Sequence, residues 1–444
     1  MTLILILLFS LSIILFAIVR LGIHPFLVLF VTAIIYGLLS GMCHDLILQS
    51  ISDGFGGVLG NIGLLILLGV IMGTFLEKSG GALVIADKVL SWIGKKSVTL
   101  AMMVCGYLLS IPVFADSTFI MLNPINRVLS FKGKIPYAVT TVALALGVIA
   151  SHCMVPPTPG PIATAGMLGA DLGGVIFWGL IISVLALIPS YFFARWIASE
   201  MPLRVQIAID ESGLKNVHKP HIISSFLPVI VPLVLIILAS IAKYPTLPFG
   251  EGPFIQLLQF IGSPIIALSF GVGLSFLLPK KLDRQMLASS GWLGEALVMA
   301  TPVILITGAG GVFGKMLQNS GIADLVSSYF INTGTGILLP FLIAFALKTA
   351  QGSSTVAMVT TASIVAPLLS ALGLDAEGLR VFVVLSIGAG AMAISHANDS
   401  FFWAVTQLSG LSTKQGNKSL SLGTLVLSFS AMLLIYLVVQ LGIY

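Results

Sequence analysis

Residues 395–400 read Ser-His-Ala-Asn-Asp-Ser, and residues 151–161 read Ser-His-Cys-Met-Val-Pro-Pro-Thr-Pro-Gly-Pro. Both stretches begin with the same Ser-His pair, and each lies in the middle of a long apolar run. Polar side chains are costly inside lipid and tend to be functional there. The proline-rich stretch also cannot continue an α-helix. The two stretches therefore predict two membrane spans that unwind at their centres.

Other landmarks around these stretches are also duplicated. A short polar cluster precedes each one, Asp116-Ser117-Thr118 in the first half and Gly352-Ser353-Ser354-Thr355 in the second. Farther upstream, residues 73–80 and 314–321 both read Gly-x-x-Leu-x-x-Ser-Gly. Three matched landmarks in one order indicate a duplicated unit. Repeats that break their helices at matched places are typical of secondary transporters.

The composition predicts an all-α polytopic membrane protein. The chain has 444 residues, of which 57% are hydrophobic and 8% charged, whereas soluble domains carry about 25% charged residues. Apolar stretches long enough to cross a bilayer recur from end to end. Residues 1–19 lack a basic leader and are interpreted as a retained first span. The net charge of +5 comes from dispersed residues and does not indicate nucleic-acid binding.

We predict ten spans and two re-entrant hairpins. The spans lie near 2–20, 23–41, 58–76, 136–170, 174–197, 222–242, 254–278, 296–316, 380–410 and 420–443, and the hairpins near 98–131 and 337–371. With both termini outside, 17 of the 21 lysines and arginines fall inside, as the positive-inside rule requires. The first repeat covers 1–199, a cytoplasmic connector 200–221, and the second repeat 222–444. Five spans per half force the two repeats into inverted orientation.

The hairpin tips and the broken spans are the candidate site. Non-helical backbone survives at mid-membrane only when it is buried in protein or lines water. We expect Asp, Ser and Thr side chains at the tips to cap the second helix of each hairpin. Each tip would then aim a helix N-terminus, which attracts anions, at the membrane centre. Lys348, just before the second tip, is a candidate source of positive charge.

These motifs resemble the gluconate permease (GntP) family of proton symporters, within the ion-transporter superfamily. The matching stretches are spread over nearly the whole chain: 24–27, 69–80, 111–124, 152–160, 307–315, 351–357 and 395–403. The resemblance implies proton-driven uptake of gluconate or a similar hydroxy acid across the cytoplasmic membrane. It further implies a scaffold domain, an elevator-type transport domain and a homodimer. One departure is Thr158, where the family pattern often has histidine.

From the motifs and the resemblance together we expect two groups of site residues and neither a metal nor a cofactor. The substrate-binding group is Ser117, Thr118, Ser151, Thr158, Ser353, Ser354, Thr355, Asn398 and Ser400. Histidine titrates near neutrality and buried carboxylates can be shifted toward it, so the proton-coupling group is Asp116, His152, His396 and Asp399. The partners are then a small organic anion, protons and the bilayer.

Other functions remain open at this stage. A symporter for another hydroxy acid or for D-serine would keep the same pattern with altered site residues. A sodium-coupled carboxylate transporter would use backbone carbonyls and hydroxyls at the broken helices. A channel is a weaker alternative, because the sequence shows no ring of repeated charge. An intramembrane hydrolase is weaker because a single catalytic triad has no need of two Ser-His pairs in inverted halves. A nutrient sensor without transport is a further weaker alternative.

Overall fold

The computed structural model describes residues 2–93, 97–199, 219–242, 249–250, 252–322 and 336–443, and this part of the chain is helical. The first half contains α1 (Thr2–Val19), α2 (Pro25–Leu39), α3 (His44–Lys78), α4 (Gly81–Ile93), α5 (Val98–Leu109), α6 (Ala115–Lys132), α7 (Tyr137–Met154), α8 (Pro159–Leu168) and α9 (Leu172–Ser199).

The second half contains α10 (Ile222–Ala242), α11 (Pro253–Ile261), α12 (Pro264–Ser275), α13 (Trp292–Asn319), α14 (Leu338–Gln351), α15 (Ser354–Val365), α16 (Glu377–Ala391), α17 (Ser400–Ser409), α18 (Thr413–Gly416) and α19 (Leu422–Gln440). Six helical stretches of the described chain are long and apolar enough to cross a membrane. A bent pair, α11 and α12, gives a seventh if it counts as one span.

Helices α3 and α13 run antiparallel and pack against each other along their lengths. Asn319 Nδ2 donates to Ser50 Oγ (2.8 Å) at one end, and Lys78 pairs with Glu295 (2.6 Å) at the other. Between these contacts, a Cβ on Gly54 would stand 2.6 Å from the Gly311 carbonyl oxygen. Small residues allow this close approach, which is the usual way helices associate in membranes.

Two helical hairpins, α5–α6 and α14–α15, lie against the two broken spans. Helix α5 packs on α7, and α14 packs on α16. Glycines make both contacts close: Gly106 approaches the backbone of Leu144 on α7, and Gly390 approaches the backbone of Phe345 on α14. The broken spans unwind where the sequence predicts, between α7 and α8 and between α16 and α17.

Three features differ from the sequence-based expectations. Helix α6 begins at Ala115, so Asp116, Ser117 and Thr118 lie in its first turn and do not cap it. The span predicted near 254–278 consists of two helices, α11 and α12, that are bent by 64° relative to each other. Each begins with a proline, Pro253 or Pro264, because proline is favoured at the first helical position. Helix α3 starts at His44, well before the predicted 58. Most of the connector 200–221 lies outside the described residues.

The α3–α13 contact yields a stability prediction. Gly311→Ala is expected to lower the melting temperature of the detergent-purified protein, because its Cβ would stand 2.7 Å from a methyl group of Val58 and press on the α3 backbone. Overpacking of this kind costs about 1–3 kcal/mol. Gly60→Ala on α3 is the control, since its Cβ would meet open space. Equal melting temperatures for the two variants would contradict the close packing.

Candidate functional site

Four helix N-termini meet where the hairpin tips face the broken spans. Ser400 Oγ, at the start of α17, donates to Asp116 Oδ2 on α6 (3.1 Å). A Cβ on Gly160, at the start of α8, would lie 3.7 Å from the Cα of Thr355 on α15. Each N-terminus carries free backbone N–H groups and a partial positive charge. Their convergence makes this centre of the protein suitable for an anion.

Side chains cap the N-termini of α15, in the second hairpin, and of α17, in the second broken span. The sequence predicts such a cap for the tip of the second hairpin. Ser353 accepts a hydrogen bond from the Val356 backbone N–H (3.3 Å) at the start of α15. Asp399 Oδ1 accepts from the Phe401 N–H (3.0 Å) at the start of α17. Neither Phe114 before α6 nor Thr158 before α8 makes such a bond.

A buried ion pair joins the second hairpin to the second broken span. Lys348 Nζ lies 2.7 Å from Asp399 Oδ2, and both side chains are almost fully buried. The Lys348 ammonium also donates to the Gly352 carbonyl oxygen, and Ser395 Oγ donates to Asp399 Oδ2. The pair therefore fixes the tip of the hairpin against the unwound segment 392–399.

Two further side chains of the unwound segment hold the same tip. Asn398 Nδ2 donates to the Thr349 carbonyl oxygen (2.9 Å), and His396 Nε2 lies 2.8 Å from the same oxygen. Gly352 adopts a left-handed backbone with φ of 89°, and a Cβ there would collide with the Asn398 carbonyl. Predicted site residues His396 and Asn398 thus support the tip backbone.

The predicted residues of the first broken span bond to their own backbone. Thr158 Oγ1 lies 2.9 Å from the His152 carbonyl oxygen and 2.8 Å from that of Val155. Ser151 Oγ donates back to Val148 O (3.4 Å). The Thr158 hydroxyl partners carbonyls at and just after the end of α7, which the helix leaves free, so it holds the break in place. The Ser151 bond, by contrast, lies within α7.

Several buried polar atoms around the centre have no hydrogen-bond partner among the described residues. They are Thr118 Oγ1, His152 Nδ1, Thr349 Oγ1 and both amide atoms of Gln351. Buried polar groups are normally paired, and leaving one unpaired costs about 1–3 kcal/mol. The imidazole of His152 faces Phe114 of the first tip, with ring centroids 6.4 Å apart. These atoms are available to a polar ligand.

The remaining predicted residues line the two tips. Ser117 lies beside the Glu77 carboxyl group of α3. Ser354 is buried beside the Cys153 thiol, and Thr355 is half-buried next to it. Asp116 lies within electrostatic reach of Lys348 and Asp399. The structure therefore brings both hairpin tips and both broken spans into one cluster.

Sequence reasoning missed the partners that this cluster depends on. The pairing of Lys348 with Asp399, the bond from Ser395 to that carboxylate, and the unpartnered amide of Gln351 were not predicted. A signal was present for Lys348, since it is the one charge in the apolar stretch 338–350. Among the described residues, no group of three or more His, Cys, Asp or Glu side chains is arranged to hold a metal ion.

The cluster is closed on one side and open on the other. Helices α8 and α15 are buried along most of their lengths and pack against α3 and α13. By contrast, Ala397, Asn398 and Ser400 are exposed at the start of α17. Helix α17 packs on α6, and Arg127 of α6 donates to the Leu408 carbonyl oxygen (3.0 Å).

Comparisons with known proteins agree with this architecture. The chain is 33% identical to a gluconate permease of Pseudomonas aeruginosa, with 95% of this chain and 94% of that one covered. It is 29% identical to the D-serine transporter DsdX of Escherichia coli, with 96% of both chains covered. The fold resembles that of the YdaH transporter of Alcanivorax borkumensis, with a TM-score of 0.69, 12% identity, and 95% and 99% of the two chains covered.

The family model described as GntP family permease matches residues 1–442, which is nearly the whole sequence. The proteins of this family that the comparisons match are permeases and transporters, and they are not enzymes. The chain, a helical protein with several helices apolar enough to cross a membrane, belongs to the GntP family of permeases.

Proposed function

We propose that this protein imports gluconate or a related sugar acid or hydroxy acid across the cytoplasmic membrane by proton symport. The observation that carries the proposal is the convergence of four helix N-termini with unpartnered polar atoms around Asp116 and the Lys348–Asp399 pair. The gluconate permease among the relatives supports the choice of substrate class.

In this proposal the substrate carboxylate lies between the two hairpin tips. The N–H groups of the first turns of α6 and α15 bind it, together with Thr118, Ser354 and Thr355. Ser117 and Ser353 border the same position, and the sugar hydroxyls reach the exposed polar groups of Asn398 and Ser400. Binding by dipoles and hydroxyls, without an arginine fork, is weak enough to release the substrate.

In this proposal the charges around the site couple a proton to the anion. Lys348 neutralises Asp399, which leaves Asp116 as an uncompensated negative charge beside the site. An ionised Asp116 repels a carboxylate, whereas a protonated Asp116 does not. Substrate and proton then bind together. One proton with one monoanion is electroneutral, so the driving force is the pH gradient, which supplies about 1.4 kcal/mol for each pH unit across the membrane.

The geometry ranks the four proton-coupling candidates. His396 and Asp399 are engaged with the second hairpin, through the Thr349 carbonyl and through Lys348. Asp116 is half-buried and has a side-chain bond from Ser400, and His152 has an unpartnered Nδ1. We therefore assign the proton to Asp116 and keep His152 as the second candidate. The other charged groups facing Asp116 are Lys348 and Asp399.

The proposal includes two inverted repeats and alternating access. The packing of α5 on α7 corresponds to that of α14 on α16, and α6 on α17 corresponds to α15 on α8. Helices α6 and α17 lead toward Lys132 and Lys414, which the positive-inside rule places in the cytoplasm. The exposed side of the cluster is then cytoplasmic, and α8 and α15 close the outer side. An elevator movement, a homodimer and external termini belong to the same proposal.

Transport of D-serine is the second candidate. An amino acid carries an ammonium group, for which the Asp116 carboxylate is a suitable partner, and one relative is a D-serine transporter. The proposed site thus has a group for a zwitterion as well as for a sugar acid. Competition between the two substrates distinguishes the candidates.

The first prediction concerns uptake itself. Proteoliposomes with an acidic exterior and no sodium are expected to accumulate radiolabelled gluconate saturably, and a protonophore is expected to abolish the accumulation. Unlabelled hydroxy acids and D-serine rank the preferred substrate by competition. Empty liposomes are the control. Absence of gradient-driven flux for every compound would contradict the proposal.

The second prediction concerns Asp116. Asp116→Asn mimics the protonated carboxyl group, so we expect its substrate affinity to become independent of pH. Wild-type affinity should fall by about tenfold for each pH unit above the pKa of the proton-carrying group. The variant should still exchange substrate for substrate while losing accumulation driven by the pH gradient. Asp45→Asn is the control, because it removes an exposed carboxyl group in the first turn of α3 and leaves Asp116 unchanged. Unchanged pH dependence in Asp116→Asn would exclude Asp116 as the carrier.

The third prediction concerns the open side. In a Cys43→Ser background, which removes the exposed native thiol, Ser400→Cys is expected to react with a membrane-impermeant maleimide applied from the cytoplasmic side. Thr164→Cys on α8 is the matched buried control, since Thr164 is fully buried. Faster labelling of Thr164→Cys, or labelling of Ser400→Cys only from outside, would contradict the assignment of the sides.

A further inference from the structure

Lys348 is unusual because its ammonium group is enclosed by protein at the tip of the second hairpin. The residue is 1% exposed and lies in the last turn of α14. A charge inside a membrane protein is costly unless it is paired, and such charges tend to be functional. The contacts of this ammonium therefore bear on how the transporter works.

The atoms around the ammonium are those that would bind a small metal cation. They are the Gly352 carbonyl oxygen just past the end of α14 and the Asp399 carboxylate in the second broken span. Unwound backbone carbonyls at half-helix C-termini coordinate sodium or protons in other transporters. A second donor to the same carboxylate oxygen is the Ser395 hydroxyl.

The Asp399 carboxylate needs a compensating positive charge while it is ionised. Asp399 is 4% exposed, and removing one partner of a buried ion pair leaves an uncompensated charge that is strongly destabilising. Lys348 supplies the compensating charge through a covalent tether, so the charge cannot dissociate. A metal ion bound to the same oxygens would also be repelled by the ammonium.

The first half of the chain lacks this charge pair. By the register of the two Ser-His pairs, Asp399 corresponds to Val155. Lys348 corresponds to Gly106 when the first helices of the two hairpins, α14 and α5, are aligned at their last residues. Lys348 precedes the last residue of α14, Gln351, by the same number of positions as Gly106 precedes the last residue of α5, Leu109. Among the described residues of the first half, the hairpin helix α5 thus packs on α7 with no ion pair between them. The pair is an addition specific to the second half.

We propose that the Lys348 ammonium occupies a monovalent-cation site and acts there as a permanently bound counter-cation, which makes transport independent of sodium. The inference rests on the proposed function and adds the reason why no metal cation joins the proton and the anion. Lys348 is here a positioning residue for the second hairpin tip, and it acts through Asp399 and Gly352.

The inference predicts that a metal ion can replace the side chain. Lys348→Ala removes the ammonium and leaves space beside the Asp399 and Gly352 oxygens. In choline medium we expect its uptake to fall by about tenfold or more, because Asp399 is then uncompensated. Sodium or lithium should restore most of the lost uptake, whereas wild-type uptake should be the same in sodium, potassium and choline.

Two variants control for the loss of packing. Lys348→Met keeps the length of the side chain and fills the space, so it should not respond to sodium. The double variant Lys348→Ala/Asp399→Asn has the space without the negative charge, so it also should not respond. Rescue of Lys348→Ala alone would identify a cation site, because a purely structural defect would not depend on the ion.

Thermal stability tests the same point without transport. Sodium at millimolar concentrations should raise the melting temperature of purified Lys348→Ala by several degrees, since a ligand that binds only the folded state stabilises it. The wild type, Lys348→Met and the double variant should not shift. This measurement separates the two proposals: if the wild type fails to transport any acid and Lys348→Ala is still stabilised by sodium, the proposed function fails and the cation site stands.

Three outcomes would overturn the inference. The first is sodium-dependent uptake by the wild type. The second is a folded Lys348→Ala whose uptake and melting temperature are the same in sodium and in choline. The third is an equal sodium response in Lys348→Ala and in Lys348→Ala/Asp399→Asn, because the cation would then bind somewhere other than at Asp399.

Discussion

The structure depends on one constraint: a polypeptide that unwinds inside a membrane must satisfy its backbone with groups from the protein. The described chain unwinds at two hairpin tips and two broken spans, and each break has local partners. Thr158 bonds to carbonyls at the end of α7, and Asn398 bonds to the carbonyl of Thr349 in the opposite tip. The breaks therefore stabilise one another, which explains why they lie together.

The same constraint shapes the candidate site. A helix that starts in the middle of the membrane presents unpaired N–H groups and a positive dipole end. Four such helix ends meet here, and the unpartnered atoms of Thr118, His152 and Gln351 lie among them. The anion that these ends attract balances their charge only if Asp116 is neutral, which links the proposed substrate to the proposed proton.

The two halves of the cluster are organised differently. In the second half an ion pair, Lys348 with Asp399, joins the hairpin to the broken span. In the first half glycines do this, because Gly106 and Gly147 bring the α5 and α7 backbones into contact. Close packing needs no charge compensation, whereas the second half contains a buried carboxylate whose ionised form is strongly destabilising without a positive charge beside it.

The sequence alone indicated the class of protein, the family and the two helix breaks that follow α7 and α16, because proline-rich or polar stretches inside apolar runs have few compatible conformations. It did not indicate the bend between α11 and α12. It could not determine which polar side chains are free. Ser151 and Thr158 bond to their own backbone, while Thr118 and His152 have unpartnered atoms. Nor did it pair Lys348 with Asp399 or bring Ser400 to Asp116, since these contacts join segments far apart in the chain. Only tertiary packing decides such pairings, because they depend on how the hairpins lie against the broken spans.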